Sequence, residues 1–280
     1  MPAPSFDPIP LAAAGAQAAV LPYGAHLVRW APDPGAPDRL FVSARAEYQA
    51  GAAIRGGVPV IFPQFSDAVP GPDPSIRHGF ARTQPWRVVS TAPDRAAFEL
   101  VDTPELRARW PHPFRAELTV ALAPDALALT LAVENPGDAP FAFTGALHTY
   151  LRVGDAAAAR VLGLEGAAGR DQAAGGAPLD PLGAPLGFGR EVDHLYPGAG
   201  RAPVALDDPA LGRRTQVEQT GWPDVVVWNP GPERGAALAD LEPEGWRQFV
   251  CVEAVAASPV AVAPGARWEG TQRLTAVGRA

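Results

Sequence analysis

Two residues far apart in the chain have side chains suited to proton transfer. His148 lies on a strand predicted at residues 141–153, and a histidine there can titrate near neutral pH and act as a general acid. Glu253 lies in the segment FVCVEAV, where strand alternation places it on one face with Cys251 and Val255. In a partly apolar cleft the pKa of this carboxyl would rise, which would make it a better proton acceptor. A structurally hydrogen-bonded histidine and an edge-strand charge are the competing interpretations.

A second group of polar side chains flanks a short apolar strand predicted at residues 58–62. It consists of Arg55, which precedes two glycines, and of Arg77, His78 and Arg82 in the segment RHGFAR. All 23 basic residues are arginine, whose planar guanidinium binds phosphate oxygens in pairs, and the absence of lysine excludes lysine Schiff-base chemistry. From spacing alone, an anion site and scattered surface arginines are equally compatible with this pattern.

The elements that must position these side chains are predicted to be short strands. The 33 Pro and 29 Gly are spread along the chain and disfavour long helices. Leucine and valine alternate with smaller residues over 116–133, around a Pro124-Asp125 turn, and this pattern predicts a β-hairpin. Further predicted elements are strands at 18–21, 26–31, 86–91, 96–101, 161–164, 224–228, 248–254 and 267–275, a helix at 104–109 and a Pro/Gly loop at 69–74. The fold class is therefore all-β, and we expect residues 1–280 to form one domain.

Composition limits the class of partner and the compartment. A net charge of −7 and a pI near 5.3 argue against nucleic acid, whose phosphate backbone needs a basic surface. The single cysteine, Cys251, excludes an intramolecular disulfide and a cysteine metal cluster. No apolar run approaches the roughly 20 residues of a membrane helix, and the N-terminal segment lacks the features of a signal peptide. We therefore expect a soluble, cytoplasmic monomer with no membrane partner.

Several segments, taken in order, resemble the glucose-6-phosphate 1-epimerase branch of the galactose-mutarotase-like superfamily. They are RGGVPVIFPQF, HGFAR, GALHTYLRV, VLGLEG, EVDHLY, VVVWNP and the run from ADLEPEGW to FVCVEA. The resemblance covers most of the chain and implies a β-supersandwich of large antiparallel sheets with its site in a concave sheet face. It also implies a hexose-6-phosphate mutarotase, an isomerase that interconverts α and β anomers and uses neither a metal nor a cofactor.

The resemblance also implies roles for individual residues. Glu253 would be the general base and His148 the general acid. Six further residues would bind the sugar phosphate: His78, Asp193, Arg55, Arg82, Arg77 and Gln64. Within this set, Asp193 would accept hydrogen bonds from the sugar hydroxyls, although its place in EVDHLY is equally compatible with a turn carboxylate. Arg55 and Arg82 would bind the phosphate, and Arg77 would contribute to the same binding site.

Two alternatives stay open on the sequence. An aldose 1-epimerase for unphosphorylated sugars would share the fold and the chemistry, and the arginine group argues against it. A non-catalytic carbohydrate-binding β-sandwich would need polar and tryptophan contacts but not Glu253 opposite His148. Gly231 departs from the WNPW usual in relatives, and Ala254 departs from the usual VEPG. These departures bear on the sugar preference rather than on the proton-transfer residues.

Overall fold

The computed structural model describes residues 3–32, 34–35, 37–66 and 77–278, so the predicted loop at 69–74 lies outside the described residues. In chain order, strands β1 to β10 are Ile9–Ala13, Ala16–Leu21, His26–Ala31, Val60–Ile61, Arg87–Ala92, Arg95–Val101, Arg115–Leu122, Ala126–Glu134, Phe141–Leu147 and Tyr150–Arg152. Strands β11 to β20 are Arg160–Leu162, Gly169–Asp171, Ala177–Leu179, Leu186–Gly187, Val192–Tyr196, Val204–Asp208, Arg213–Thr220, Asp224–Asn229, Phe249–Val262 and Arg267–Gly278. The helices are α1 (Pro104–Arg109), α2 (Gly231–Ala237) and 3₁₀ turns at Ala81–Thr83, Ala199–Arg201 and Gly245–Gln248.

The strands form two large antiparallel sheets and a small one. The eight-stranded sheet has the order β13-β12-β15-β18-β19-β9-β4, and β10 also pairs with β19. The nine-stranded sheet has the order β14-β11-β16-β17-β20-β8-β7-β6-β5, and β1, β2 and β3 form the third sheet. A core cluster of buried side chains from Leu11 to Leu274 draws on all three sheets. The all-β prediction is therefore confirmed, whereas one domain over residues 1–280 stays a prediction.

The predicted hairpin is present and shows how the sequence builds the core. In β7 and β8, Leu118 lies opposite Leu131 and Leu122 lies opposite Leu127. All four leucines are buried, because their shared face packs inward while the smaller residues alternate with them. Burial of each such side chain stabilises the fold by roughly 1.5–3 kcal/mol.

Of the two α-helices in the described residues, α1 was predicted from the sequence and α2 was not. Helix α1 has the predicted bounds, because Pro104 suits the first turn and the Thr103 hydroxyl accepts a hydrogen bond from the Leu106 amide at 3.3 Å. Helix α2 was not predicted from the sequence GPERGAA, in which two glycines and a proline mask the helical pattern. The proline lies at the start of α2, where its missing N–H costs no hydrogen bond.

The segment predicted as one strand at residues 141–153 is two strands, β9 and β10, separated by His148 and Thr149. The His148 amide donates to the carbonyl of Pro59 at 3.1 Å, and the Thr149 amide donates to the carbonyl of Leu147 at 3.0 Å. Local bonding therefore interrupts the regular ladder at this point. The face that carries His148 also carries Glu253, Tyr150 and Trp228, so it combines polar and aromatic side chains.

No helix in the described ranges is long and apolar enough to cross a membrane. The segment between β10 and β14, in which one strand is predicted at residues 161–164, holds three strands, β11, β12 and β13.

Acid is expected to destabilise the fold through a buried histidine that plays no part in the cavity. His26 has no exposed surface, its Nε2 lies 2.7 Å from the carbonyl of Gly56, and burial lowers its pKa to about 4. The unfolded chain takes up a proton near pH 6.5, whereas folded His26 does not. The contribution of neutral His26 to the free energy of unfolding is therefore present above pH 6.5 and is lost as the pH falls towards 4. We expect Tm to fall over this window, and the slope to be smaller in His26→Asn. A Tm that stays level from pH 6.5 to 4.5 would contradict the prediction.

Candidate active site

The register of the eight-stranded sheet brings the two predicted proton-transfer residues together. Tyr150 of β10 lies opposite Cys251 of β19, and the β9 pairing with β19 continues the same register. In an antiparallel pair, two residues back on one strand lie opposite two residues forward on the other. His148 therefore faces Glu253, although 104 positions separate them in the sequence.

The next strands extend this arrangement into two rows of side chains. Strand β18 places Val226 opposite Glu253 and Trp228 opposite Cys251. Strand β15 then places Asp193 opposite Trp228. Because alternate residues share a face, these rows lie side by side on one surface of the sheet. The rows are His148–Glu253–Val226 and Tyr150–Cys251–Trp228–Asp193.

A cavity of about 680 Å³ opens over these rows, a volume within the usual range for small-molecule sites. Its other walls come from loops and from α2. The residues that line it in addition to the rows are Arg55, Phe65, Ser66, Arg77, His78, Arg82, Gln172, Ala173, Gly175, Gly176, Arg234 and Leu238. Seven of the eight predicted site residues therefore line one cavity, although their segments span much of the chain.

His148 and Glu253 are in direct contact. His148 Nε2 lies 3.4 Å from Glu253 Oε1, and the exposed fractions of the two residues are 8% and 2%. Within the described residues, His148 Nδ1 and Glu253 Oε2 have no hydrogen-bond partner. A sugar therefore has to lie over the pair, on the cavity side, rather than between the two groups.

The surroundings shift the proton affinities of this pair in opposite directions. Burial, followed by the charge of Asp193, raises the pKa of Glu253 well above its ordinary value. Burial, followed by the guanidinium charges of Arg82 and Arg55, lowers the pKa of His148 to about 3. These shifts favour the uncharged pair, a protonated carboxyl beside a neutral imidazole.

His78 is held in one tautomer. Its Nδ1 accepts a hydrogen bond from the backbone amide of Ser66 at 3.2 Å, so the neutral ring carries its proton on Nε2. Burial, followed by the charge of Arg82, lowers the pKa of His78 well below its ordinary value and keeps the ring neutral. His78 has a positive φ of 67°, a strained conformation that concentrates at functional sites. The following Gly79 is required, because a Cβ there would lie 2.2 Å from the Phe62 carbonyl oxygen.

Two of the predicted phosphate-binding arginines differ in how they are partnered. Arg55 forms an ion pair with Asp240, with Nη2 3.0 Å from Oδ2, and donates from Nη1 to the hydroxyl of Tyr150 at 3.0 Å. Arg82 donates from Nη2 to the carbonyl of Arg77 at 3.0 Å, and its buried Nε has no partner within the described residues. Burial lowers the pKa of Arg82 to about 10, so its guanidinium is still charged at neutral pH. Within the described residues, Arg82 thus combines a charged guanidinium with an unpartnered Nε, an arrangement suited to binding an anion.

The remaining charged groups lie around the same cavity. Asp193 is half-buried on β15, and burial raises its pKa, so the turn interpretation of this residue is wrong. Arg234 of α2 pairs with Glu191. Arg77 is exposed at the rim of the cavity.

Gln64 is the predicted site residue that the described cavity does not include. It is buried, and its Nε2 donates to the carbonyl of Ser66 at 3.0 Å. The side chain therefore supports the loop that carries Ser66 and His78. Its contact with the substrate stays a prediction.

Three cavity-side residues were not predicted from the sequence. The Tyr150 ring stacks on the His148 imidazole with centroids 4.8 Å apart and an interplanar angle of 14°. The Trp228 ring meets the same imidazole edge-on at 5.7 Å. Asp240 holds Arg55 as described above. The GALHTYLRV, VVVWNP and ADLEPEGW motifs contain these residues, so motif membership was the signal that could have identified them.

The cavity is poorly suited to bind a metal ion. His148, Cys251 and Glu253 offer ligand atoms that all lie within 4.8 Å of one another, a donor set that zinc can use. Burial, however, raises the pKa of the Cys251 thiol well above its ordinary value, and four arginines line the same cavity. The sequence-based expectation of no metal and no cofactor stays a prediction.

The fold and the site together define a protein of the galactose-mutarotase type, with a contacting glutamate–histidine pair in a cavity on one face of a large sheet. The family model described as aldose 1-epimerase matches residues 9–275, and the chain belongs to that family.

Curated relatives and solved structures agree with this assignment. A relative from Cenchrus ciliaris, provisionally named a glucose-6-phosphate 1-epimerase, is 34% identical over 91% of this chain and 80% of its own length. A relative of the same provisional name from Escherichia coli K12 is 35% identical over 84% of this chain and 78% of its own length. The crystal structure of a provisionally named mutarotase from Salmonella typhimurium has a TM-score of 0.86 at 28% identity and covers 98% of this chain and 91% of its own. The predicted supersandwich is thereby confirmed.

Proposed function

We propose that this isomerase is a hexose-6-phosphate mutarotase that interconverts α and β anomers through the open-chain aldehyde. The observation that carries the proposal is the contact of Glu253 with His148 in a cavity that also holds the charged guanidinium of Arg82, whose Nε has no partner within the described residues. Proton transfer needs the first pair, and a phosphate dianion suits the guanidinium. The provisional names of the relatives support the same substrate class.

The reaction is a pair of proton transfers with a ring opening between them. Glu253 removes the proton of the anomeric hydroxyl while the protonated imidazole of His148 gives a proton to the ring oxygen. The bond between C1 and the ring oxygen breaks, and the free aldehyde forms. After rotation about C1–C2, the hydroxyl closes on the other face of the carbonyl and both protons return. Positioned side chains accelerate such transfers by roughly 10²–10⁴-fold each.

A phosphate beside Arg82 also helps to prepare this reaction. The surroundings of Glu253 and His148 favour the neutral pair, whereas the reaction starts from a carboxylate and an imidazolium. The guanidinium charges of Arg82 and Arg55 contribute to the low pKa of His148. A bound dianion opposes those charges, so it raises the His148 pKa and favours the charged pair. Binding energy from the non-reacting end of the substrate is thereby used for the chemical step.

His78 and Asp193 complete the substrate contacts in this proposal. The Nε2–H of His78 donates to a sugar or phosphate oxygen near His148, whose ring centroid lies 5.8 Å away. Asp193, at the far end of the row that begins at Tyr150, accepts hydrogen bonds from sugar hydroxyls. That the enzyme works as a cytoplasmic monomer stays a prediction from the sequence.

Anomer-resolved NMR exchange on a panel of free hexoses and their 6-phosphates tests the proposal. We expect catalysed exchange for both sets, with a higher kcat/KM for the 6-phosphates. Equal values for glucose and glucose 6-phosphate would favour an aldose 1-epimerase for free sugars. Binding without any catalysed exchange would favour a carbohydrate-binding module.

A further inference from the structure

The loop between α2 and the following 3₁₀ turn holds a carboxylate, Asp240, in a fixed place. In the same loop, Glu242 Oε2 accepts hydrogen bonds from the Ser43 hydroxyl at 2.5 Å and from the Ala44 amide at 3.2 Å. The loop is therefore tied to the segment that precedes Arg55. A carboxylate on a tethered loop can orient a partner, because its own position is restrained.

Asp240 contacts Arg55 at two guanidinium nitrogens. Its Oδ2 accepts a hydrogen bond from Nε at 3.1 Å and lies 3.0 Å from Nη2 in an ion pair, and the side chains of Asp240 and Arg55 are 25% and 22% exposed. Such partial burial and two-point contact distinguish this pair from an ordinary surface ion pair. With its guanidinium plane fixed, Arg55 donates from Nη1 to the Tyr150 hydroxyl at 3.0 Å.

Tyr150 connects Arg55 to His148, the proposed general acid. Its ring lies against the His148 imidazole, 4.8 Å between centroids and 14° from parallel. Catalytic histidines commonly have the second ring nitrogen oriented by a carboxylate or a carbonyl. His148 Nδ1 has no such partner within the described residues, so the ring orientation depends on its aromatic neighbours and on Glu253.

We propose that Asp240 is a positioning residue that, through Arg55 and Tyr150, holds the imidazole of His148 in register with Glu253. The series Asp240–Arg55–Tyr150–His148 is called the orienting series below. The inference rests on the proposed mutarotase reaction, since it gives His148 the role of acid. It adds a role for Arg55 besides phosphate binding, because Arg55 lines the cavity and its guanidinium has more N–H groups than the contacts with Asp240 and Tyr150 use.

Two substitutions break the orienting series at different points. Asp240→Asn removes the charge that holds Arg55, and Tyr150→Phe removes the hydroxyl but keeps the stacked ring. We expect each to lower kcat about tenfold on both glucose and glucose 6-phosphate, since small misplacement of a reacting group is costly. The double variant should be no slower than the slower single variant, because residues that act in one series are not additive. Asp155→Asn is the matched control, because it removes the partner of Arg247, 2.8 Å away, without touching the cavity.

A second measurement does not depend on activity. The imidazole resonances of His148, assigned by their loss in His148→Gln, should shift or broaden in Asp240→Asn and in Tyr150→Phe but not in the control. Unchanged resonances in both variants, an unchanged kcat, or an effect confined to KM for glucose 6-phosphate would overturn the positioning role. A wild-type enzyme that exchanges no sugar would instead overturn the proposed function, whatever the resonances show.

Discussion

Replacement of Glu253 by glutamine is expected to lower catalysed anomerisation by about 10²–10⁴-fold. Glutamine has nearly the same shape, but it has no basic oxygen to take the proton of the anomeric hydroxyl. The fold should tolerate the change, because burial already raises the pKa of this carboxyl and favours its neutral form. Anomer-resolved NMR exchange measures the rate, and a thermal melt checks the fold.

A matched control separates this effect from the general loss of a glutamate. Glu269 of β20 lies outside the cavity with its side chain 57% exposed, so Glu269→Gln should exchange sugars at the wild-type rate. A Glu253→Gln variant that is folded and retains more than about a tenth of the wild-type rate would remove Glu253 from the role of base.

Replacement of Arg82 by alanine should cost the enzyme its preference for phosphorylated substrates. Loss of one partner of a buried, hydrogen-bonded charge pair costs about 2 kcal/mol or more, which corresponds to roughly 30-fold in kcat/KM for glucose 6-phosphate. The value for glucose should change little, because glucose offers no anion to the guanidinium. Steady-state kinetics on the two sugars measure the split.

The control for this variant is Arg247→Ala, since Arg247 lies outside the cavity and pairs with Asp155. Free phosphite added with glucose gives a further check. If a dianion beside Arg82 prepares the acid–base pair, phosphite should accelerate glucose exchange in the wild type and not in Arg82→Ala. An equal loss on both sugars would show that Arg82 supports the cavity rather than the phosphate.

The elements that the sequence predicted well are those set by local patterns. The 116–133 hairpin has a two-residue alternation, and helix α1 has a capping threonine and an initial proline, so neighbouring residues suffice to define both. Helix α2 escaped prediction because its stability comes from packing, with Gly235 against Trp246, rather than from helix propensity.

The site was predicted in part, for a different reason. His148 and Glu253 were identified from the family motifs, but their 3.4 Å contact follows from the pairing of β10 with β19, which no local pattern encodes. Asp240 and Tyr150 have no unusual spacing, and their role becomes visible when three distant segments meet at Arg55. Gln64 shows that a motif does not define the contacts of a side chain, since it lies in a strong motif and its Nε2 donates to the carbonyl of Ser66.

The pairing of Glu253 and His148 across two bonded strands has a consequence for how proteins of this architecture diversify. The distance between the two side chains is set by the backbone geometry of the paired strands. Substitutions in the surrounding loops do not change that geometry. The loops that supply Arg77, Arg82 and the 172–176 turn are free to acquire new contacts while the proton chemistry is preserved. Changes of sugar preference within this architecture should therefore accumulate at the rim, and inactivation should begin in the central strands.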